Sequence, residues 1–218
     1  MLQATGSPAL EARLGLVDPA WGGLVLCHPH PLYGGDMDNP VVMRCAEVAR
    51  EEGIATLRFN FRGVGSSKGA HDGGRGEMED VGLALAALGD RLSGQPVGLL
   101  GYSFGAWVTA RLMAERRPAR ALGLVAPPLA LMPLPALDPS ASRLLVVAGT
   151  RDTYCPRGDL ERLARDLAGA QVERVQEADH FFFGKLFPLG EVVRAWLRSW
   201  AGPTGGAGAA GSPSRPTG

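Results

Sequence analysis

The sequence predicts an α/β domain: a mostly parallel sheet with helices on both faces and no large cap domain. Three observations carry that reading. Short apolar runs alternate with segments of helical spacing from Leu24 to Trp200. The runs are continuous rather than alternating, as expected of strands buried on both faces. A small-residue turn centred on a serine falls between one such run and a helix, at the edge where parallel sheets build their sites.

Leu24–Cys27 is the first predicted strand, and it runs into a Pro-rich turn. Val41–Glu52 is predicted helical from the spacing of Val42, Cys45, Val48 and Ala49, and Gly53 is a suitable C-cap. Ile54–Phe61 reads as a strand. Glu77–Leu92 reads as a helix with Met78, Val81, Leu85 and Leu88 on one face. Pro96–Leu100 is a strand, Gly105–Arg116 a helix, and Arg120–Val125 and Leu144–Ala148 are strands. Asp159–Leu167 is a helix, Val172–Gln176 a strand and Leu189–Trp200 a helix. Residues 1–201 are expected to form one domain. Residues 202–218 are almost only Gly, Ala, Pro, Ser and Thr and are expected to be a disordered tail.

The 218 residues carry 22 basic and 22 acidic side chains, so no bulk charge draws the chain to nucleic acid or an anionic membrane. Cys27, Cys45 and Cys155 form no closed disulfide framework and point to reduced thiols in a cytoplasmic protein. Met1–Val17 lacks the charged and apolar regions of a signal peptide. The uncharged stretch Ala121–Leu137 is interrupted by four prolines and is short for a membrane span.

Gly101-Tyr102-Ser103-Phe104-Gly105 fits G-x-S-x-G, in which small residues flank a serine on a strained strand-to-helix turn. Gly65-Ser66-Ser67-Lys68-Gly69 fits the same pattern, but no apolar strand enters it and a Gly-rich stretch follows it. Only Ser103 has the strand–turn–helix context. A serine nucleophile needs a base, and of the four histidines only His180 lies after Ser103. The acid is expected between them. Asp152 stands just past the strand Leu144–Ala148, at the right edge to orient an imidazole. Asp138 is the reserve, and Asp179 adjoins the histidine too closely for an easy side-chain pairing. The oxyanion donors are expected from the N–H of Phe104 and from the loop His28–Gly35, where Leu32 is the first choice and Tyr33 the second, because Pro29 and Pro31 have no N–H.

Other readings of these residues are weaker. Cys27-His28-Pro29-His30 offers zinc ligands but no fourth partner at a familiar spacing, so no metal is expected and the histidines are read as locking the loop. The run Arg62–Gly69 lacks the spacing of a phosphate loop, and Arg62 is expected to pair with Glu77, Glu79 or Asp80. Tyr33, Trp107 and Phe181 are the candidate substrate contacts.

His30-Pro31-Leu32-Tyr33-Gly34-Gly35, Phe59-Asn60-Phe61-Arg62-Gly63-Val64-Gly65-Ser66-Ser67, Gly101–Gly105, Gly149-Thr150-Arg151-Asp152 and Asp179-His180-Phe181-Phe182 occur in that order. Together they resemble the compact bacterial α/β-hydrolases of the dienelactone-hydrolase-like and small-esterase group over about Leu24 to Trp200. The resemblance implies a Ser103–Asp152–His180 esterase that needs no cofactor. Dienelactone hydrolases proper carry a cysteine where Ser103 stands, which argues against dienelactone as the substrate.

Lids of this fold usually precede the acid-bearing strand. Here that interval, Ala126–Ser142, is short and Pro-rich. It can supply an apolar wall (Leu129, Leu131, Met132, Leu134, Leu137) but no helical lid. The expectation is a monomeric or homodimeric carboxylesterase or thioesterase acting on a small-molecule ester of short to medium acyl chain. The rival is a non-catalytic protein of the same fold that binds a small molecule or partner, which would have no need of these three residue types in this order.

Overall fold

The structure, a computed structural model, describes residues 1–138 and 143–201; the expected tail, 202–218, lies outside them. In chain order the elements are β1 (Ala12–Gly15), β2 (Gly22–Cys27), α1 (Pro40–Glu51), β3 (Ile54–Phe59), α2 (Arg75–Gly89), β4 (Val97–Tyr102), α3 (Phe104–Arg116), β5 (Ala121–Val125), β6 (Arg143–Gly149), α4 (Arg157–Asp166), β7 (Gln171–Val175) and α5 (Leu186–Ala201). The seven strands form one sheet in the order β1-β3-β2-β4-β5-β6-β7. Every pairing is parallel except β1 with β3.

Successive residues of β2 feed opposite faces, as strand geometry requires. Leu24 and Leu26 pack with Val41, Val42 and Val48 of α1 and Leu189, Val193 and Trp196 of α5. Val25 and Cys27 pack with Val81 and Leu88 of α2, Val108 and Leu112 of α3 and Leu160 of α4. All six residues of β2 are buried, so truncating Leu26 to Ala should cost about 2–5 kcal/mol.

The predicted elements are present, with end shifts of a few residues. The element the sequence reading missed is β1. It has four residues, none fully buried, of which only Ala12 and Leu14 pack on the core. Its pairing with β3, with Ala12 opposite Phe59 and Gly15 opposite Thr56, is a tertiary event. β3 also stops two residues early, because Asn60 and Phe61 turn away. Asn60 Oδ1 accepts the Met37 N–H at 2.8 Å, and its Nδ2 donates to Glu11 at 2.9 Å.

Helix starts follow local chemistry. Asn39 caps α1 by accepting the Val41 N–H at 3.0 Å, with Pro40 at the first position. Glu77 folds back in the first turn of α2 and accepts the N–H groups of Asp72 and Gly74. Of the three acids available to Arg62, Asp80 takes it. Arg62 donates to both Asp80 oxygens from its guanidinium, at 2.7 to 3.1 Å, and to Oδ2 from its backbone N–H at 2.9 Å. Among the described residues no helix is long and apolar enough to cross a membrane.

Candidate active site

The carboxyl ends of β4, β6 and β7 carry three polar side chains to one point. β4 turns into α3 at Ser103, which sits at φ 54° and ψ −115°, a conformation costly for any residue with a Cβ. The flanking glycines make that turn possible. A Cβ on Gly101 would lie 2.2 Å from the Gly105 carbonyl oxygen, and one on Gly105 would lie 2.5 Å from that of Cys27. The serine hydroxyl therefore stands at the N-terminus of α3 with α3 pressed against the end of β2.

Asp152 follows β6, and its Oδ1 accepts the N–H groups of Tyr154 and Cys155 at 2.9 and 3.0 Å. His180 follows β7, and the Tyr102 hydroxyl donates to its carbonyl at 3.1 Å. The two loops touch directly, since a Cβ on Gly149 would meet the Ala178 carbonyl at 2.2 Å. His180 Nδ1 lies 2.9 and 3.0 Å from the two Asp152 oxygens, and His180 Nε2 lies 3.0 Å from Ser103 Oγ. A carboxylate only accepts, so Nδ1 carries the hydrogen and Nε2 presents its lone pair to the hydroxyl. That arrangement can remove a proton from Ser103 and stabilise the imidazolium that results.

The other acids are engaged elsewhere. Asp138 lies 3.3 Å from Arg117, and Asp179 accepts the N–H groups of Phe181 and Phe183. Ser67, in the second G-x-S-x-G run, is buried. Its hydroxyl donates to the Asn60 carbonyl at 2.7 Å and accepts the Glu11 N–H at 2.9 Å, which ties the turn after β3 to the N-terminal segment.

The loop after β2 forms a short 3-10 turn, Pro31–Tyr33. The N–H of Leu32 donates to His30 Nδ1 at 3.2 Å, and that of Tyr33 to the His30 carbonyl at 3.1 Å. Both donors expected from this loop, Leu32 and Tyr33, are thus occupied. The N–H groups of His30 and Phe104 have no hydrogen-bond partner among the described residues. The Pro29 carbonyl accepts from His28 Nδ1 at 2.7 Å, so across the same trans peptide the His30 N–H points away from that ring. The signal for His30 was in the sequence: it is the residue between two prolines.

His28 is fully buried between Pro29 and the turn after β3. Its Nδ1 donates to Pro29, and its Nε2 accepts the Phe61 N–H at 3.0 Å. Burial pushes its pKa down to about 4, against the smaller upward pull of the Pro29 bond. Both ring nitrogens are committed to backbone, which is the loop-locking role. Among the described residues no group of three His, Cys, Asp or Glu side chains could hold a metal ion. The three thiols are free and buried, and burial pushes Cys45 and Cys155 up to about 12.

A cleft of about 510 Å³ opens over Ser103 and His180. Tyr33 and Phe181 line it, as do Tyr154, Leu131 and Met132, and among the described residues no Asp, Glu, Lys or Arg does. Trp107 does not belong to its wall. Its indole donates to the Pro133 carbonyl at 3.1 Å and pins the Pro-rich segment. Tyr154, whose ring centroid is 4.7 Å from that of His180, was not anticipated from sequence. Of the five apolar residues expected as a wall, Leu129, Leu134 and Leu137 pack on the core beside Met132, and Leu131 is exposed at the cleft.

No protein-family model matches the chain. It is 32% identical to the uncharacterized protein RP471 of Rickettsia prowazekii over 183 residues, 79% of this chain and 77% of that one. An α/β serine hydrolase homologue from Coxiella burnetii superposes with a TM-score of 0.79 at 31% identity, covering 90% of this chain and all of that one. XC6422 of Xanthomonas campestris, an α/β serine hydrolase without a lid, superposes with a TM-score of 0.79 at 28% identity over 94% and 99% of the two chains. The chain belongs to the α/β hydrolases, among their compact bacterial members without a lid. Its relatives support hydrolysis as its chemistry.

Proposed function

We propose that this hydrolase cleaves uncharged carboxylic esters or thioesters through an acyl-enzyme on Ser103, with His180 as base and Asp152 as its orienting acid. The observation that carries the reading is the hydrogen-bond chain from Ser103 Oγ through His180 to Asp152, with every link between 2.9 and 3.0 Å. Ser103 Oγ attacks the acyl carbon as His180 Nε2 takes its proton. The carbonyl oxygen becomes an oxyanion held by the N–H of Phe104 and, in place of the Leu32 expected from sequence, that of His30. His180 then gives the proton to the leaving alcohol or thiol. Water, activated by the same imidazole, releases the acid.

Among the described residues no charged side chain lines the cleft, which supports uncharged acyl groups. A carboxylate or phosphate buried there would have no counter-ion. The aromatic rings of Tyr33, Tyr154 and Phe181 offer flat apolar contacts to the acyl or alcohol part.

A fluorophosphonate should label the wild type and Ser67→Ala but not Ser103→Ala. On a panel of p-nitrophenyl esters, Ser103→Ala should lose on the order of 10⁴-fold or more in kcat, while Ser67→Ala keeps its turnover. Labelling or near-normal turnover in Ser103→Ala would overturn the assignment. A wild type that neither labels nor hydrolyses would favour a binding protein.

A further inference from the structure

His30-Pro31-Leu32 repeats the backbone geometry and the side-chain cap used nine residues later at Asn39-Pro40-Val41. At Asn39-Pro40-Val41 the residue before the proline sits at φ −53° and ψ 135°, and its side chain accepts the N–H two residues on at 3.0 Å. At His30 the backbone is at φ −57° and ψ 123°, and ring Nδ1 accepts the Leu32 N–H at 3.2 Å. Asparagine is an ordinary capping residue and histidine is not. A capping imidazole differs in one respect: it accepts only while Nδ1 is unprotonated.

The His30 ring is also held from three sides. Its centroid lies 4.7 Å from that of Tyr33 in the same turn, 4.7 Å from that of Phe104 in α3 and 5.0 Å from that of His71 in the loop before α2. Phe104 is the residue whose N–H faces the oxyanion. His71 Nδ1 lies 2.8 Å from the buried carboxylate of Glu77. The titratable groups acting on His30 are thus His71, which opposes a second positive charge, and Glu77, which favours one. Burial opposes it most, and the balance holds its pKa below the ordinary value.

We propose that His30 is a positioning residue. Its neutral ring caps the turn that aims the His30 N–H at the oxyanion, and protonation at Nδ1 releases that turn and switches the site off in acid. The inference rests on the function proposed above and adds the protonation state of His30 to its requirement for a neutral base.

Three measurements test it. ¹⁵N NMR of the wild-type protein should show neutral His30 with its hydrogen on Nε2; the Nδ1–H tautomer would overturn the cap. The acid limb of log kcat/KM should steepen beyond a slope of one in the wild type, because two imidazoles must be neutral, and return to one in His30→Asn. His30→Ala should lose kcat, more than KM, by between about tenfold and the roughly 10²-fold of a deleted oxyanion donor. His30→Asn should recover most of that loss, since Asn39 already makes the same bond. Equal impairment of the two variants, or an unchanged limb in His30→Asn, would refute the proposal. If the wild type hydrolyses no ester, the functional reading fails while the NMR tautomer still judges the cap. The NMR result and the wild-type limb also stand if His30→Ala does not fold.

Discussion

At the scale of single residues, the two histidines of the loop after β2 show how burial divides like side chains. His28 has lost its solvent and is held by two backbone partners. An unfolded chain binds a proton at His28 below about 6.5. The folded chain refuses one until about 4. Stability from this residue is therefore complete above the unfolded value and is lost as pH falls through that window, by about 3 kcal/mol in all. Urea unfolding at pH 7 and pH 4.5 should show the fall, and the His28 ring should not titrate above pH 5. Asp152 tests differently. Asp152→Asn keeps the shape but gives the imidazole an amide that cannot balance its charge. kcat/KM should fall far more for Asp152→Asn than for Asp138→Asn or Asp179→Asn, whose carboxylates serve Arg117 and a local turn. If Asp138→Asn is the worst of the three, the acid lies after β5 instead.

At the scale of elements, the site depends on how closely α3 meets the end of β2. Gly105 has no room for a methyl group, because the obstacle is the backbone oxygen of Cys27 rather than a flexible side chain. Gly105→Ala should cost on the order of 1–3 kcal/mol and lower turnover together with stability, since relief requires α3 and Ser103 to move. Gly82, mid-helix in α2, would meet nothing within 4 Å on gaining a Cβ. Gly82→Ala should raise stability by about 0.5–1 kcal/mol through helix propensity alone. Thermal melts of the two variants give the comparison; a neutral Gly105→Ala would mean that this packing is looser than described. The same contrast explains what could be read beforehand. The G-x-S-x-G spacing marks a crowded turn, and its context separates Ser103 from Ser67. It does not show that Ser67 holds down the N-terminal segment.

At the scale of the whole molecule, the described part of the segment between β5 and β6 forms no helix. Its leucines go to the core, with Leu131 left at the cleft. Among the described residues no apolar surface is hidden under a cover that oil would lift. Each methylene buried in the cleft still contributes about 0.8 kcal/mol, but the wall beyond Leu131 and Met132 is short, so the gain should level off early. With p-nitrophenyl acetate, butyrate, octanoate and palmitate at equal soluble concentration, kcat/KM should plateau by octanoate, with no jump at the critical micelle concentration. A rise that continues to palmitate would contradict this open-cleft reading.

The fold class, the places of the buried strands along the chain and the choice of Ser103, Asp152 and His180 as candidates were legible in the sequence, because each rests on local chemistry. Continuous apolar runs need two covered faces. A strained serine needs glycines beside it. A base and an acid must follow consecutive strand ends to reach one edge. Tertiary structure alone decided the rest, for a physical reason in each case. β1 exists because the edge of β3 offers it a ladder, which four residues with none fully buried do not announce. Asp80 wins Arg62 because only its carboxylate also meets the Arg62 N–H. Which N–H of the loop after β2 stays without an acceptor depends on where the neighbouring groups have come to lie: the Leu32 N–H meets the His30 ring two residues back, and the His30 N–H meets no acceptor among the described residues.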